Sequence, residues 1–90
     1  MRARVVLSPR AEETRISLPI PTRRAVNAAL RRIAEQGDWG ASPTRFVSPA
    51  NSPNSGLIAD LSVGGLAIVY RVKQREGVVW VEDIRPIFLG

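Results

Sequence analysis

The chain opens with a short stretch in which apolar and polar residues alternate. Ala3, Val5 and Leu7 recur at every second position, with arginines at positions 2 and 4. A period of two is typical of a strand with one buried face. We therefore predict a strand over residues 2–7.

A helix start follows directly. Ser8-Pro9 is typical of such a start, because a serine side chain can cap the first turn and proline fits its first position. Pro19 limits the helix at its other end, so we expect it to cover about residues 9–17. Ile16 and Leu18 are its expected core contacts.

A longer amphipathic segment comes next. We expect a second helix from just after Pro21 to about Gln36, since Gly37 is a typical helix end. The short connection between the two helices predicts a helical hairpin. The expected apolar stripe of the second helix consists of Ala25, Val26, Ala29, Leu30 and Ile33.

The C-terminal third has the period of strands. Residues 57–63, 66–73 and 78–84 each alternate, with Gly64-Gly65 as a two-residue hairpin turn and residues 74–77 as a second turn. Strands joined by short turns pair antiparallel. The sequence therefore predicts a three-stranded antiparallel meander.

Residues 37–56 are rich in glycine, serine, proline and asparagine. A structureless loop of this length is unusual inside a compact domain. Either Arg45-Phe46-Val47 forms a short strand, or the segment is a functional or mobile loop. Trp39 and Phe46 are expected to pin it to the body of the protein.

These elements predict one α+β domain over residues 1–90. Its expected order is β-α-α-β-β-β, with the helical hairpin packed on a small, mainly antiparallel sheet. Ninety residues suit one domain, and an apolar fraction of 44% favours a folded core.

Two residue types are missing from the chain, and their absence excludes several kinds of site. There is no cysteine and no histidine, so a Cys/His zinc site or a Ser-His-Asp triad cannot form. We expect no metal and no cofactor. No apolar run approaches the roughly 20 residues that span a bilayer, so we expect a cytoplasmic protein without a membrane partner.

The charge balance is basic, with 13 basic against 8 acidic residues and a net charge of +5. Lys73 is the only lysine, so arginine supplies almost all the positive charge. The planar guanidinium binds phosphate in a bidentate way. The balance suits a nucleic acid or an acidic protein segment. The alternative is an arginine-rich surface that is only solvated.

Several short motifs accompany this order of elements. They are Val5-Val6-Leu7-Ser8-Pro9-Arg10-Ala11, Leu18-Pro19, Ala29-Leu30-Arg31-Arg32-Ile33-Ala34, Leu61-Ser62-Val63-Gly64-Gly65-Leu66-Ala67-Ile68-Val69-Tyr70-Arg71-Val72 and Val79-Trp80-Val81-Glu82-Asp83-Ile84-Arg85. The motifs and their order resemble the RelE/ParE superfamily of bacterial toxin–antitoxin toxins, and the resemblance spans most of the chain.

The resemblance implies metal-independent cleavage of messenger RNA in the ribosomal A site, performed by arginines, lysines and a tyrosine. The chain departs from the family pattern at three places. Ala67 stands where the family often has an arginine, and residues 54–63 carry no basic side chain. Phe88 or Leu89 stands where a tyrosine is expected.

Five residues are our candidates for the site. The resemblance matches Arg85 to the arginine of the family's last strand, so Arg85 and Arg71 are the catalytic candidates. Lys73, Arg75 and Arg45 are the candidates for nucleic-acid binding. The alternative for Arg85 is a salt bridge with a neighbouring carboxylate, and the alternative for Arg71, Lys73 and Arg75 is a solvated strand end near a hairpin. Arg45 joins them only if the loop folds back.

Three further predictions concern carboxylate and aromatic side chains. The alternative salt bridge of Arg85 would be made with Glu82 or Asp83. Tyr70 and Trp80 are expected in the core, and base stacking by Trp39 or Trp80 is the alternative role of these tryptophans.

The resemblance predicts a toxin of a type II toxin–antitoxin module, of the ribosome-dependent endoribonuclease type. A ParE-like inhibitor of DNA gyrase, or an inactive relative that only binds, is the alternative. The expected partners are a cognate antitoxin and either the ribosome with its messenger RNA or DNA gyrase.

Overall fold

The computed structural model describes residues 3–36, 45–47 and 56–87, with residues 45–47 given as backbone. Two helices lie on one face of a five-stranded sheet with the strand order β1-β5-β4-β3-β2. The elements are β1 (Arg4–Leu7), α1 (Pro9–Ser17), α2 (Ile20–Gln36), β2 (Arg45–Val47), β3 (Leu57–Asp60), β4 (Leu66–Lys73) and β5 (Val78–Pro86).

The α+β class and the meander are confirmed. β3, β4 and β5 pair antiparallel in sequence order, while β1 pairs parallel with β5. The helical hairpin lies between β1 and β2, which are the two edge strands of the sheet. Of the two alternatives for Arg45–Val47, the structure shows the strand, which pairs antiparallel with β3. Trp39 lies outside the described residues.

Several predicted boundaries and contacts differ from the structure. β3 ends at Asp60. The Asp60 carboxylate accepts the backbone N–H of Ser62 at 2.8 Å, and this bond turns the chain before the predicted glycine hairpin. α2 begins at Ile20, before the predicted start. Pro21 fits the first turn, because a backbone N–H at that position would have no hydrogen-bond acceptor within the helix. Ile16 was wrongly predicted as a core contact, since it is 54% exposed, whereas Leu18 packs against the core.

The core lies between the helices and the sheet. The helix stripe is largely confirmed, except that Ala34 is buried and Ala25 is exposed. Tyr70 is fully buried, as predicted. The most deeply buried aliphatic side chains around it are Val26, Ile33, Ile68, Val79, Val81 and Ile84.

The junction of β1 and α1 is fastened to β5 by one serine. The Ser8 hydroxyl accepts the N–H of Ala11 at 3.1 Å and so caps α1, as predicted. The same hydroxyl donates to the backbone carbonyl of Glu82 at 2.7 Å. The Ser8 N–H donates to the carbonyl of Val81 at 2.9 Å. One residue therefore ends a strand, starts a helix and holds the neighbouring strand.

β5 contains a bulge at the place where Ser8 holds it. Val69 lies opposite Asp83 and Tyr70 lies opposite Val81, so Glu82 is the extra residue on β5. The extra residue reverses the alternation of side chains along the strand. Beyond the bulge, Ile84 therefore returns to the helix-covered face.

The bulge also corrects one predicted side-chain position. Trp80 was predicted in the core, on the face that Ile84 occupies. Instead Val79 and Val81 take the helix-covered face, and both are fully buried. Trp80 is only half-buried, and it lies on the opposite face. The sequence pattern alone gave no sign of the bulge, which is why the prediction was wrong.

We predict that Ser8→Ala lowers stability through both hydrogen bonds of the hydroxyl. Loss of the cap and of one further hydrogen bond should cost about 2 kcal/mol. For a chain of this size that corresponds to a fall in Tm of roughly 10 °C. Thermal unfolding followed by circular dichroism measures it. Ser8→Thr is the control, because it keeps the hydroxyl, and an equal loss in that variant would contradict the explanation.

Candidate functional site

The sheet face turned away from the helices, here called the open face, carries the polar side chains of the central strands. The pairing of β4 with β5 places Ala67 opposite Arg85, Val69 opposite Asp83 and Arg71 opposite Trp80. Side chains of one sheet face recur at every second residue, so Lys73 follows Arg71 on the same face. The open face thus holds Ala67, Val69, Arg71 and Lys73 of β4 and Trp80, Asp83 and Arg85 of β5.

Arg85 forms an ion pair at one end of the open face. Its Nε donates to Oδ2 of Asp83 at 3.0 Å, and Oδ1 of Asp83 accepts the N–H of Ile84 at 2.9 Å. The Asp83 side chain is 13% exposed and that of Arg85 is 63% exposed. The alternative predicted for Arg85, a salt bridge, is confirmed with Asp83 as the partner. The Nε edge of the guanidinium is held by Asp83, and the rest of the exposed group can contact a ligand.

Arg71 forms a second ion pair in the middle of the open face. Its Nε donates to Oε1 of Glu82 at 3.1 Å. On its other side, a Cβ placed on Gly56 would lie 3.3 Å from Nη1 of Arg71, so the guanidinium rests close to the backbone at the start of β3. Gly56 has φ +87°, a conformation that also favours glycine. Arg71 therefore spans from β3 to the bulge of β5.

An open cleft of about 450 Å³ adjoins the Arg85 end. Its walls are the start of α1 with Arg10, the sheet residues Leu57 and Val69, and the side chains at the end of β5. The exposed Arg10 lines the same cleft as Arg85. Sequence reasoning did not select Arg10. No local sequence signal could have found it, because the helix start reaches the bulge only through the pairing of β1 with β5.

The three predicted nucleic-acid-binding residues lie in different places. Lys73 shares the open face with Arg71, and its Nζ lies 5.5 Å from the centre of the Trp80 ring. Arg75 is exposed in the 3₁₀ turn Gln74–Glu76. Arg45 lies in β2 opposite Asp60, at the far edge of the sheet. The structure groups Lys73 with Arg71 and separates Arg45 from both.

The two catalytic candidates share the open face but stand apart along it. Arg85 lies opposite Ala67, which is four residues from Arg71 on β4. At about 3.3 Å per residue this separation is roughly 13 Å. The methyl group of Ala67 leaves that position without a cation. Phe88, the other departure from the family pattern, lies outside the described residues.

The chemistry available in the cleft comes from guanidinium and carboxylate groups. Two guanidiniums can bind phosphate oxygens, and the half-exposed Glu82 carboxylate can accept a proton. Across the three described ranges, no group of three or more histidine, cysteine, aspartate or glutamate side chains is placed to hold a metal ion.

Comparisons with known proteins were made at three levels. No protein-family model matches the chain, and no curated protein sequence matches it. Solved structures do match. The toxin–antitoxin complex RelBE2 from Mycobacterium tuberculosis matches with a TM-score of 0.76 at 14% identity, over 97% of this chain and 100% of that one.

Two further matches have similar extent. The YoeB/ParE toxin from Agrobacterium tumefaciens has a TM-score of 0.75 at 11% identity, over 94% of this chain and 99% of its own. The YoeB–YefM complex from Staphylococcus aureus has a TM-score of 0.73 at 15% identity, over 98% and 100%. The chain has the RelE/ParE toxin fold. The matched proteins are toxins of type II toxin–antitoxin modules.

The RelE/ParE fold agrees with the predicted architecture, including a helical hairpin packed on the sheet. None of the helices in the described ranges is long and apolar enough to cross a membrane. The roles of individual side chains in the cleft remain predictions, and the first of them concerns Asp83.

We predict that Asp83→Asn increases the affinity of the cleft for inorganic phosphate by up to about 5-fold. The amide still accepts the N–H of Ile84, but it no longer holds Arg85 by charge, and an ion pair whose guanidinium is largely exposed is worth on the order of 1 kcal/mol. An NMR titration with phosphate measures the affinity. Arg85→Ala should lower it, and equal affinities in wild type and both variants would rule out Arg85 as the anion-binding group.

Proposed function

We propose that this protein is the toxin of a type II toxin–antitoxin module and cleaves messenger RNA on the ribosome, as RelE-type toxins do. The observation that carries the proposal is the cleft beside the bulge, where Arg10 and Arg85 lie next to the carboxylates of Glu82 and Asp83. Its support is the toxin fold together with paired cationic and proton-accepting groups in one open cleft.

In the proposed reaction the RNA supplies its own nucleophile. The Glu82 carboxylate accepts the proton of a ribose 2′-hydroxyl, whose oxygen then forms a bond to the adjacent phosphorus. The bond from phosphorus to the 5′-oxygen breaks, and that oxygen takes a proton from water. The resulting hydroxide removes the proton from Glu82, which restores the carboxylate. Arg85 and Arg10 bind the phosphate oxygens, on which negative charge accumulates. Arg71 holds the Glu82 carboxylate in place through its Nε.

We predict that Arg85→Ala lowers the rate of messenger RNA cleavage in programmed ribosomes by about 10²-fold, because a donor to developing charge is lost. Glu82→Gln should lower it by a similar factor, since an amide cannot accept the proton. Arg31→Ala is the matched control, as it removes one exposed arginine from α2. Absence of cleavage by the wild type would refute the proposal, and equal effects of Arg31→Ala and Arg85→Ala would refute the assignment.

The proposal includes a cognate antitoxin. The RelBE2 and YoeB–YefM structures are complexes with such partners. A net charge of +5 favours an acidic, disordered segment that folds on binding. The ribosome and the messenger RNA place the proposed activity in the cytoplasm.

A second candidate is inhibition of DNA gyrase. Two observations favour it: Arg71 and Arg85 already hold carboxylates, which reduces the positive potential of the open face, and one matched structure is described as a YoeB/ParE toxin. An inactive relative that binds only its antitoxin would share these features.

If the gyrase candidate holds, the purified protein should inhibit supercoiling of relaxed plasmid by gyrase in proportion to its concentration. The inhibition should persist in Glu82→Gln, because binding to gyrase needs no proton acceptor. An agarose-gel supercoiling assay measures it. Full supercoiling at saturating protein would remove this candidate, and lack of activity in both assays would leave the inactive relative.

A further inference from the structure

We propose that Trp80 is a stacking platform for a base of single-stranded RNA, at the end of the open face away from the cleft. This inference rests on the proposed function in one respect, namely that the open face binds RNA. It adds a binding position outside the cleft, with a nucleobase as its ligand.

The position of Trp80 is set by the sheet. Val79 and Val81, its neighbours along β5, are fully buried under the helices, so the indole points to the open face. Trp80 is half-buried there rather than enclosed. A large, partly accessible aromatic ring on a sheet face is the arrangement on which unstacked bases lie in single-strand RNA-binding proteins.

One cation lies beside the ring, and a second belongs to the residue paired with Trp80. Arg71 is the paired residue of Trp80 on β4, and Lys73 follows it on the same face. The Lys73 ammonium lies 5.5 Å from the ring centre. Surfaces that bind single strands combine cations with an aromatic ring. The cations contact the backbone phosphates while the ring contacts the base.

The ammonium of Lys73 does not exclude a base from the ring. An exposed cation–π contact changes an equilibrium by about 2- to 5-fold. Base stacking on an aromatic side chain changes it by roughly 5- to 150-fold. Lys73 is exposed on a flexible stem. A base can therefore replace the ammonium, which then lies near the adjacent phosphate.

The platform and the cleft lie on one line. Trp80 is opposite Arg71, and Arg85 is opposite Ala67, so the two positions are roughly 13 Å apart along β4. An RNA strand with a phosphate at Arg85 can pass the Arg71–Glu82 pair and place a base on Trp80. A duplex cannot do so, because its bases are already stacked within the helix.

The test compares a short oligoadenylate with a linear polyphosphate of equal charge, by titration calorimetry at fixed salt. We expect the wild type to prefer the oligoadenylate by at least 5-fold. Trp80→Leu should lose this preference and keep its affinity for polyphosphate, whereas Trp80→Phe should retain most of the preference. Arg31→Ala is the control for charge. Equal affinities for the two ligands, or an unchanged preference in Trp80→Leu, would overturn the inference.

A second measurement does not depend on how well Trp80→Leu folds. In the wild type, the NMR signals of the Trp80 ring should shift with oligoadenylate and stay in place with polyphosphate. The ribosomal cleavage assay separates this inference from the proposed function. A base preference without cleavage supports the platform and refutes the nuclease, and cleavage without a base preference does the reverse.

Discussion

The hydroxyl of Ser8 joins three parts of this protein that the chain keeps far apart. It caps the first helix, it lies at the end of the first strand, and it donates to the carbonyl of Glu82, 74 residues further along. The parallel pairing of β1 with β5 brings these parts together, and the hydroxyl fixes their relative position. The start of α1 and the bulge of β5 therefore form adjacent walls of the cleft.

The bulge decides which side chains can take part in chemistry. A regular β5 would direct Asp83 and Arg85 towards the helices, together with Val79 and Val81. With Glu82 as an extra residue, Ile84 fills the core position and the two charged residues turn to the open face. The same residue that disturbs the ladder places its own carboxylate in the cleft. The bulge thus determines both which side chains of β5 pack in the core and which ones line the cleft.

Features of the fold that depend on neighbouring residues were predictable from the sequence. The cap at Ser8, the bounds of the first helix and the antiparallel meander follow from local spacing and turn chemistry. The bulge and the position of Trp80 depend on where β4 and β5 slip by one residue, which turn chemistry does not specify. The arrival of Arg10 at the cleft depends on pairing between β1 and β5, which are about 74 residues apart. Local periodicity carries no information on such pairing, so these features needed the structure.

The ion pairs of the open face bear on whether its arginines can bind a ligand at all. Arg85 is 63% exposed and Asp83 is 13% exposed, so solvent screens the pair mainly on the guanidinium side, and its contribution is on the order of 1 kcal/mol. A phosphate that meets the guanidinium in a bidentate way forms two charge-assisted hydrogen bonds, each worth about 1.5–3 kcal/mol. We therefore expect a phosphate to compete with Asp83 for the guanidinium. Before the ligand arrives, the carboxylate limits the motion of a long side chain and keeps its charge at the edge of the cleft. Pairing with Asp83 thus positions Arg85 without blocking it.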